Sequence, residues 1–284
     1  MAESLKQIKS RIRSVGNTQK VTHAMEMISA AKLRPLENRL PAQRAYFLSI
    51  EKLLKKLMPF QKTTIHPLVA ERQEKAKTAL CVIASDSGLC GMYNNNILRF
   101  ADAFINERGQ DNILLVSVGR KALNYFKKRG INPRENFVEL NGRYSDEVSE
   151  KILGTLMDIY ISGEASEAYV AYSYFASPVR HKPVIDKILN IEMAAEGNDE
   201  SYLFEPDVEG ILAELIPVYL SYKMKSAILN SFASEQAARM VAMGGATKNA
   251  DELLEDLVLS RNKLRQANIT KELLEIISSA EVLR

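Results

Sequence analysis

Residues 211–280 read ILAELIPVYLSYKMKSAILNSFASEQAARMVAMGGATKNADELLEDLVLSRNKLRQANITKELLEIISSA. Apolar and small residues recur here in alternating steps of three and four, which is the spacing of one narrow helical face. This face consists of Leu215, Val218, Tyr222, Lys225, Leu229, Phe232, Gln236, Arg239, Met243, Ala246, Ala250, Leu253, Leu257, Ser260, Leu264 and Ala267. The pattern predicts one helix of roughly 70 residues, about 105 Å long, whereas an average globular helix has three or four turns.

The beginning of the chain carries the same pattern. Its seam consists of Leu5, Ile8, Ile12, Val15, Gln19, Thr22, Glu26 and Ser29. A second long helix is therefore predicted over residues 3–57, about 80 Å if unbroken. Proline lacks a backbone N–H and clashes with the preceding turn, so we expect this helix to bend or break within a turn of Pro35, and Pro41 adds a second interruption.

The middle of the chain has a different pattern. Short apolar runs ended by turn residues predict strands at Ala79–Ser85, Ile113–Gly119, Ala168–Phe175 and Val184–Leu189. Helical patterns lie between them at Asn95–Glu107, Arg120–Arg129 and Asp146–Ile161. Strands that alternate with helices indicate a Rossmann-like α/β domain with a mainly parallel sheet.

The predicted architecture is an α/β domain bracketed by two long terminal helices. We expect an N-terminal helix over residues 1–57, an α/β domain with polar connectors over residues 58–205, and a C-terminal helix over residues 206–284. The connectors are Pro59–Lys77 and Met193–Asp207. Both helical seams are too narrow for a globular core, so the two helices are expected to form an antiparallel coiled coil. A homodimeric coiled coil is the alternative, and it would have to bring two chains together.

Composition excludes several classes of protein. The 284 residues are 46% hydrophobic and 26% charged, which is ordinary globular usage. No run approaches the roughly 18–20 apolar residues of a membrane span, and Met1–Val15 lacks the apolar segment of a secretory signal. Two cysteines, Cys81 and Cys90, cannot form a disulfide framework and lack CxxC spacing, so a reducing compartment fits best.

Charge is distributed unevenly along the chain. Residues 1–57 carry a net charge of +8, whereas residues 58–205 carry −3 and residues 206–284 carry −2. A basic first helix suits an acidic partner, which could be nucleic acid, anionic lipid or acidic protein loops. A solvated helix face would have the same composition.

Candidate chemical motifs are few. The Ser85–Gly91 turn joins a predicted strand to a helix and could cradle phosphate, but it matches neither GxGxxG nor GxxxxGK[ST]. The favoured interpretation is a turn that simply needs glycine. His23, His66 and His181 have no metal-ligand spacing, and the acidic cluster at residues 251–256 suits a solvated face. We therefore predict a spacer or lever, with no catalytic residue, cofactor or metal.

Four segments resemble the gamma subunits of F-type ATP synthases. They are Ile8–Arg34 (IKSRIRSVGNTQKVTHAMEMISAAKLR), Ser85–Asn94 (SDSGLCGMYN), Ala233–Thr247 (ASEQAARMVAMGGAT) and Asn262–Ala280 (NKLRQANITKELLEIISSA). The resemblance implies a central rotor shaft, present once per complex, that turns inside the ring of alpha and beta subunits. It implies that the α/β domain sits against epsilon and the c-ring, and that the shaft couples proton or sodium flow to the catalytic beta sites without itself performing catalysis.

The resemblance also implies contact residues for the beta subunits. Met25 and Met27 match positions where the shaft meets an acidic beta loop. Arg239, Arg265, Gln266, Thr270 and Glu272 match the upper shaft, with Arg265 and Gln266 facing a catch on beta. The turn that contains Ser87 and Cys90 would lie at the foot of the shaft near a beta subunit. The family usually has Arg where Ser87 stands, so no ionic contact at residue 87 is implied.

Other functions remain open from the residues alone. A nucleotide-binding α/β enzyme with a coiled-coil arm would bind ATP tightly, and a basic coiled-coil protein that binds nucleic acid would show steeply salt-dependent affinity for DNA. The family resemblance implies instead a peripheral location on the cytoplasmic side of the bacterial plasma membrane, reached through the c-ring and without nucleic acid. The coupling ion and the c-ring size stay open.

Overall fold

The computed structural model describes residues 4–57, 60, 68–69, 76–191 and 207–282. The predicted connectors at residues 59–77 and 193–207 lie almost entirely outside these residues. The chain divides into two compact units, residues 29–239 and residues 1–28 with 240–284, which are described separately. Each compact unit contains part of both long helices, and the division into domains expected at residues 57 and 206 stays a prediction.

The first helix, α1, runs from Leu5 to Leu57 without interruption and contains both prolines. The break predicted at Pro35 and the interruption predicted at Pro41 are therefore wrong, and a bend at Pro35 stays a prediction. Proline in a helix interior costs about 3 kcal/mol, because it removes a hydrogen bond and crowds the turn before it. Leu33 and Leu36 flank Pro35 and are 3% and 4% exposed. Burying each leucine contributes about 1.5–3 kcal/mol, which is enough to hold this stretch helical.

The α/β domain contains one five-stranded sheet. Its elements are β1 (Lys77–Ile83), α2 (Tyr93–Arg108), a 3₁₀ turn (Gln110–Asn112), β2 (Ile113–Val118), α3 (Arg120–Lys128), β3 (Glu135–Phe137), α4 (Asp146–Ile161), β4 (Ala165–Ser177) and β5 (Arg180–Leu189). The strand order is β3-β2-β1-β4-β5. The pairs of β1, β2, β3 and β4 are parallel, and β5 runs antiparallel to β4. The predicted Rossmann-like, mainly parallel sheet is confirmed.

Helices connect the parallel strands of the sheet and pack on it. From β1 the chain passes through α2, β2 and α3 to β3, and it returns to β4 through α4. Helices α2 and α3 pack on each other, and α4 packs on β1 and β4. The core beneath α2 and α3 is apolar, with Leu80, Val82, Ile97, Leu115 and Phe126 almost completely buried. The loops after β1 and β3 consequently meet at the carboxyl edge of the sheet.

The last helix, α5, runs from Val208 to Val282, 75 residues that correspond to about 112 Å. Within residues 29–239 it pairs with α1 in the antiparallel sense. The rings of Tyr46 and Tyr222 lie 4.3 Å apart, and those of Phe47 and Tyr219 lie 5.3 Å apart. Among the described residues, no helix combines the length and apolar character that a membrane crossing requires.

The unit of residues 1–28 and 240–284 contains a narrow two-helix seam. All seam positions predicted in α1 are buried or half-buried. Thr247 donates a hydrogen bond to Thr22 Oγ1 at 2.9 Å, and both residues are buried. In this unit the seam on α5 differs from the prediction at four positions. Thr247, 9% exposed, is more buried than Ala246, and Leu253, Ser260 and Ala267 are exposed. The shared hydroxyl hydrogen bond explains why a threonine occupies the seam.

The two glycines within α5 have different surroundings. The sequence predicts that changing both Gly244 and Gly245 to alanine adds about 1–2 kcal/mol of helix stability. A Cβ on Gly245 would meet no heavy atom within 4 Å, whereas a Cβ on Gly244 would lie 3.0 Å from Glu26 Oε1. We expect Gly245→Ala to stabilise the helix by about 1 kcal/mol and Gly244→Ala to contribute less, because the Glu26 carboxylate must move.

Urea unfolding of the two single variants, followed by circular dichroism at 222 nm, measures this difference. Equal gains from both substitutions would show that Glu26 imposes no packing constraint, and a loss from Gly245→Ala would contradict the propensity argument.

Candidate partner-contact site

The predicted upper-shaft residues are exposed near the end of α5. Arg265, Gln266, Thr270 and Glu272 all lie on the surface of this helix. The Thr270 hydroxyl donates to the backbone oxygen of Gln266 at 3.0 Å, which is a bond within the helix. At about 100° per residue, the four side chains occupy an arc of roughly 160° on one side of α5. The structure therefore places these four predicted residues together.

Large apolar side chains share this arc. Ile269, Leu273, Ile276 and Ile277 are 48–65% exposed. By the same helical geometry, they lie between and beside the four polar positions. An exposed face of this kind, apolar with a guanidinium and an amide set into it, is typical of a surface that contacts another protein.

The two predicted methionines of α1 differ in exposure. Met25 is half-buried, whereas Met27 is 60% exposed. Positions two apart on a helix point about 200° from each other, so these two side chains lie on opposite faces. Met27 is accessible to a partner and Met25 is partly covered within the chain, and the contact of both with a beta loop stays a prediction.

The three remaining predicted residues belong to one network inside residues 29–239. Ser87 and Cys90 lie in the β1–α2 loop (residues 84–92), and Arg239 lies on α5. Ser87 is exposed, but Arg239 and Cys90 are buried, with 6% and 1% exposed. These residues are brought together by the fold, although 152 positions separate Ser87 from Arg239.

The Arg239 guanidinium joins α5 to the β1–α2 loop. Its Nη2 donates to Ser87 Oγ at 3.0 Å and to the Ser87 backbone oxygen at 3.5 Å, and its Nε donates to the Gly88 backbone oxygen at 3.3 Å. Its Nη1 donates to Glu235 Oε1 at 2.8 Å and to Gln236 Oε1 at 3.3 Å. The Nε and Nη2 edge of the planar guanidinium thus binds the loop, and Nη1 binds side chains of the helix.

Glu235 is a functional candidate that the sequence reading missed. Its side chain is 2% exposed and pairs with Arg239 one turn away on α5. Burial raises the pKa of Glu235, and the Arg239 charge opposes that shift. The signal in the sequence that could have indicated this ion pair is a carboxylate four positions before an arginine of the predicted seam. The spacing alone is equally common on solvated helix faces.

The β1–α2 loop carries its own anion. The Asp86 carboxylate accepts hydrogen bonds from the backbone N–H groups of Arg120, Glu139 and Asn141, at 2.7–3.0 Å. A phosphate site at a strand-to-helix turn needs such amides free to face the ligand. Here Asp86 occupies the N-terminus of α3, and the oxygens of Ser87 and Gly88 face a cation. This geometry argues against the phosphate-cradle reading of Ser85–Gly91.

The cysteines and histidines show no catalytic grouping in the described residues. Burial raises the pKa of Cys81 to about 12 and also raises the pKa of Cys90, so neither thiol favours the reactive thiolate. His23 lies 3.5 Å from Glu26, and His181 is half-buried with a pKa lowered by that burial. His66 lies outside the described residues. Within those residues no group of three or more His, Cys, Asp or Glu could hold a metal.

Known proteins of one family match the whole chain. A family model described as ATP synthase matches residues 4–283. The chain is 36% identical over 284 residues to the ATP synthase gamma chain of Protochlamydia amoebophila, with 99% of each chain covered. It is 39% identical over 283 residues to the ATP synthase gamma chain of Desulforamulus reducens, again with 99% of each covered. The chain therefore belongs to the family of ATP synthase gamma chains.

Solved structures have the same fold. A chain in the mitochondrial ATP synthase of Euglena gracilis (OSCP/F1/c-ring) matches with a TM-score of 0.68 and 18% identity, covering 98% of this chain and 94% of that one. A chain in the central stalk/c-ring structure of Tetrahymena thermophila mitochondrial ATP synthase matches with a TM-score of 0.59 and 22% identity, covering 80% and 99%. Long terminal helices around a parallel sheet are thus shared with these chains.

Proposed function

We propose that this chain is the central rotor shaft of an F-type ATP synthase. It couples proton or sodium flow through a c-ring to conformational changes in catalytic beta subunits, and it performs no bond chemistry itself. The observation that carries this proposal is the full-length similarity to ATP synthase gamma chains at 36–39% identity. The 75-residue helix, with its exposed C-terminal end, suits a shaft surrounded by a ring of other subunits.

The proposed partners are the alpha and beta subunits, the epsilon subunit and the c-ring, with one copy of this chain per complex. The exposed arc of Arg265, Gln266, Thr270 and Glu272 is the surface we assign to beta, with Met27 as a second contact. The proposed attachment to the membrane is indirect, through the c-ring. We place the complex at the cytoplasmic side of a bacterial plasma membrane.

A capture experiment tests the proposal. The full chain, tagged and expressed in its native host, is purified from detergent-solubilised membranes, and its partners are identified by mass spectrometry. Stoichiometric alpha, beta and epsilon subunits with the c-ring are expected. Capture without alpha and beta would overturn the proposal. The nucleotide-enzyme alternative, which Asp86 disfavours, requires tight and saturable ATP binding by the isolated chain.

Arg265 gives a direct prediction for the beta contact. Its planar fork of five donors suits a carboxylate or a set of loop carbonyls. A contact that must release at each step should lie at the low end of the 2–5 kcal/mol that truncating a paired charge costs. We expect Arg265→Ala to leave helicity unchanged and to lower ATP turnover of the assembled complex by about 30-fold. Arg265→Lys should restore part of it.

The measurement is ATP hydrolysis and ion pumping by reconstituted complexes with matched subunit content. Lys263→Ala is the control, because it removes a cation from an exposed position of the same turn that points about 200° away. Wild-type rates in a normally assembled Arg265→Ala complex would show that Arg265 is a solvated residue, and equal losses in both variants would indicate a general charge effect.

A further inference from the structure

The part of α5 that meets the α/β domain contains six buried polar residues among buried apolar ones. Asn230, Ser231, Ser234, Glu235, Gln236 and Arg239 are each at most 6% exposed. Helices in contact with a domain core normally present aliphatic side chains on the buried face. This run of polar residues, here called the polar seam, therefore needs a reason beyond burial of surface.

The polar seam bonds to β4 and to the first residue of α2. The Asn230 amide oxygen accepts from the backbone N–H of Phe175 at 3.1 Å, and Ser234 donates to the backbone oxygen of Ser173 at 3.1 Å. Ser231 shares a 2.8 Å hydrogen bond with the buried Tyr93 hydroxyl. These bonds attach one side of α5 to β4 and α2 at fixed points along the helix.

Glu235 and Arg239 form the charged end of the polar seam. Glu235 Oε1 anchors the guanidinium, and Glu235 Oε2 has no hydrogen-bond partner among the described residues. Burying a carboxylate with one oxygen unpaired lowers the stability of the fold. A gain in stability therefore does not explain the pair, and a role in positioning other groups does. What the pair holds is the β1–α2 loop, through the three bonds from Arg239 to Ser87 and Gly88.

The same loop is held from its other side. Asp86 binds the backbone amide of Asn141 at 2.7 Å, and Lys32 of α1 donates to the Asn141 backbone oxygen at 3.1 Å. Within residues 29–239, both long helices are thus joined to one pair of loops at the carboxyl edge of the sheet. Apolar contact is non-directional, whereas hydrogen bonds fix distance and angle. A helix held only by apolar contact could turn about its axis more easily than one held by this network.

We infer that Glu235 is a positioning residue for torque transmission: it orients Arg239, which fixes the rotational setting of α5 on the α/β domain. This inference rests on the proposed function and adds to it the element that makes helix and domain turn as one body. Loss of the pair should release the β1–α2 loop and reduce the coupling between rotation and ATP turnover, while the sheet remains folded.

The two native cysteines report loop release in the isolated full chain. Cys90 lies in the β1–α2 loop and is 1% exposed, and Cys81 lies in the centre of β1 and is 0% exposed. The experiment measures their alkylation by N-ethylmaleimide under native conditions, resolved by peptide mass spectrometry. In Arg239→Lys and in Glu235→Ala we expect Cys90 to react at least about tenfold faster, with Cys81 unchanged. Because Lys keeps the positive charge near Cys90, the faster reaction in Arg239→Lys reports exposure of the thiol.

Rescue and control variants separate positioning from charge. Glu235→Gln keeps an acceptor for Arg239 and should return the Cys90 rate to within about threefold of wild type. Glu252→Gln changes an exposed glutamate on the same helix and should have no effect. In assembled complexes with matched subunit content, Glu235→Ala should lower the ions pumped per ATP hydrolysed by at least twofold, with Glu235→Gln intermediate.

Three results would overturn the inference. Cys90 rates equal to wild type in both Arg239→Lys and Glu235→Ala would show that the pair does not hold the loop. Joint acceleration of Cys81 and Cys90 would show general destabilisation. Selective release of Cys90 with an unchanged pumping ratio would show that loop fixation has no part in coupling. Failure of the proposed function is distinguishable, because it would appear as absent alpha and beta subunits while the thiol measurement on the isolated chain still held.

Discussion

Replacing Gly119 with alanine is expected to destabilise the α/β domain by about 3–5 kcal/mol. Gly119 joins β2 to α3 with a φ of +90°, a left-handed conformation that costs an L residue about 1–2 kcal/mol. A Cβ at this position would lie 2.2 Å from the backbone oxygen of Ala84, at the end of the neighbouring strand. That oxygen belongs to the main chain, so relief requires the strand ends to separate.

Gly130→Ala is the matched control for this prediction. Gly130 also has a positive φ, +80°, but a Cβ there would meet no heavy atom within 4 Å. Gly130→Ala should therefore lower the free energy of unfolding only by the backbone strain of about 1–2 kcal/mol. Urea unfolding followed by tyrosine emission measures both variants, since the chain has 11 Tyr and no Trp. A Gly119→Ala midpoint close to that of Gly130→Ala would show that the strand ends separate at little cost.

The second large effect is expected at Phe126. Its ring is 0% exposed in the cluster that contains Leu80, Ile97 and Leu115. Deleting a fully buried phenylalanine side chain removes its transfer free energy and leaves a cavity, which together cost about 3–5 kcal/mol. Phe126→Ala should therefore lower the urea midpoint of the α/β domain by about 1–2 M.

Phe100→Ala provides the control within the neighbouring helix. Phe100 lies on α2 and is 42% exposed, so the same deletion should cost less than about 1 kcal/mol. If both phenylalanine variants unfold at the same urea concentration, then the cluster beneath α2 and α3 is not the stabilising core of the domain.

Local sequence signals predicted most of the elements. The helix expected at Asp146–Ile161 has those limits in the structure, with the acidic Asp146 and Glu147 in its first turn and Gly163 just beyond its end. Strand β3 was missed, since its three residues, Glu135–Phe137, are too few to show a period and none is fully buried. Its existence depends on pairing with β2, which is information held elsewhere in the chain.

The site was predicted in part, for the same reason. The exposed residues of α5 could be placed because a continuous helix fixes their relative angles. The network of Ser87, Glu235 and Arg239 depends on a tertiary approach between a loop and a helix. Arg239 was assigned through resemblance as a partner contact, and the structure adds its bonds within the chain. Whether it also meets a beta subunit stays a prediction.

Asp86 has a consequence for selectivity. Sheets of this topology commonly admit nucleotides at the carboxyl edge of their strands, where backbone amides gather around an anion. In this chain the carboxylate of Asp86, which is part of the domain itself, takes that place. A subunit of an ATP-handling complex works amid millimolar-range nucleotide pools, on the order of typical KM values and above. By supplying its own anion, the domain uses three backbone amides within the chain, so they are not free to bind a phosphate group.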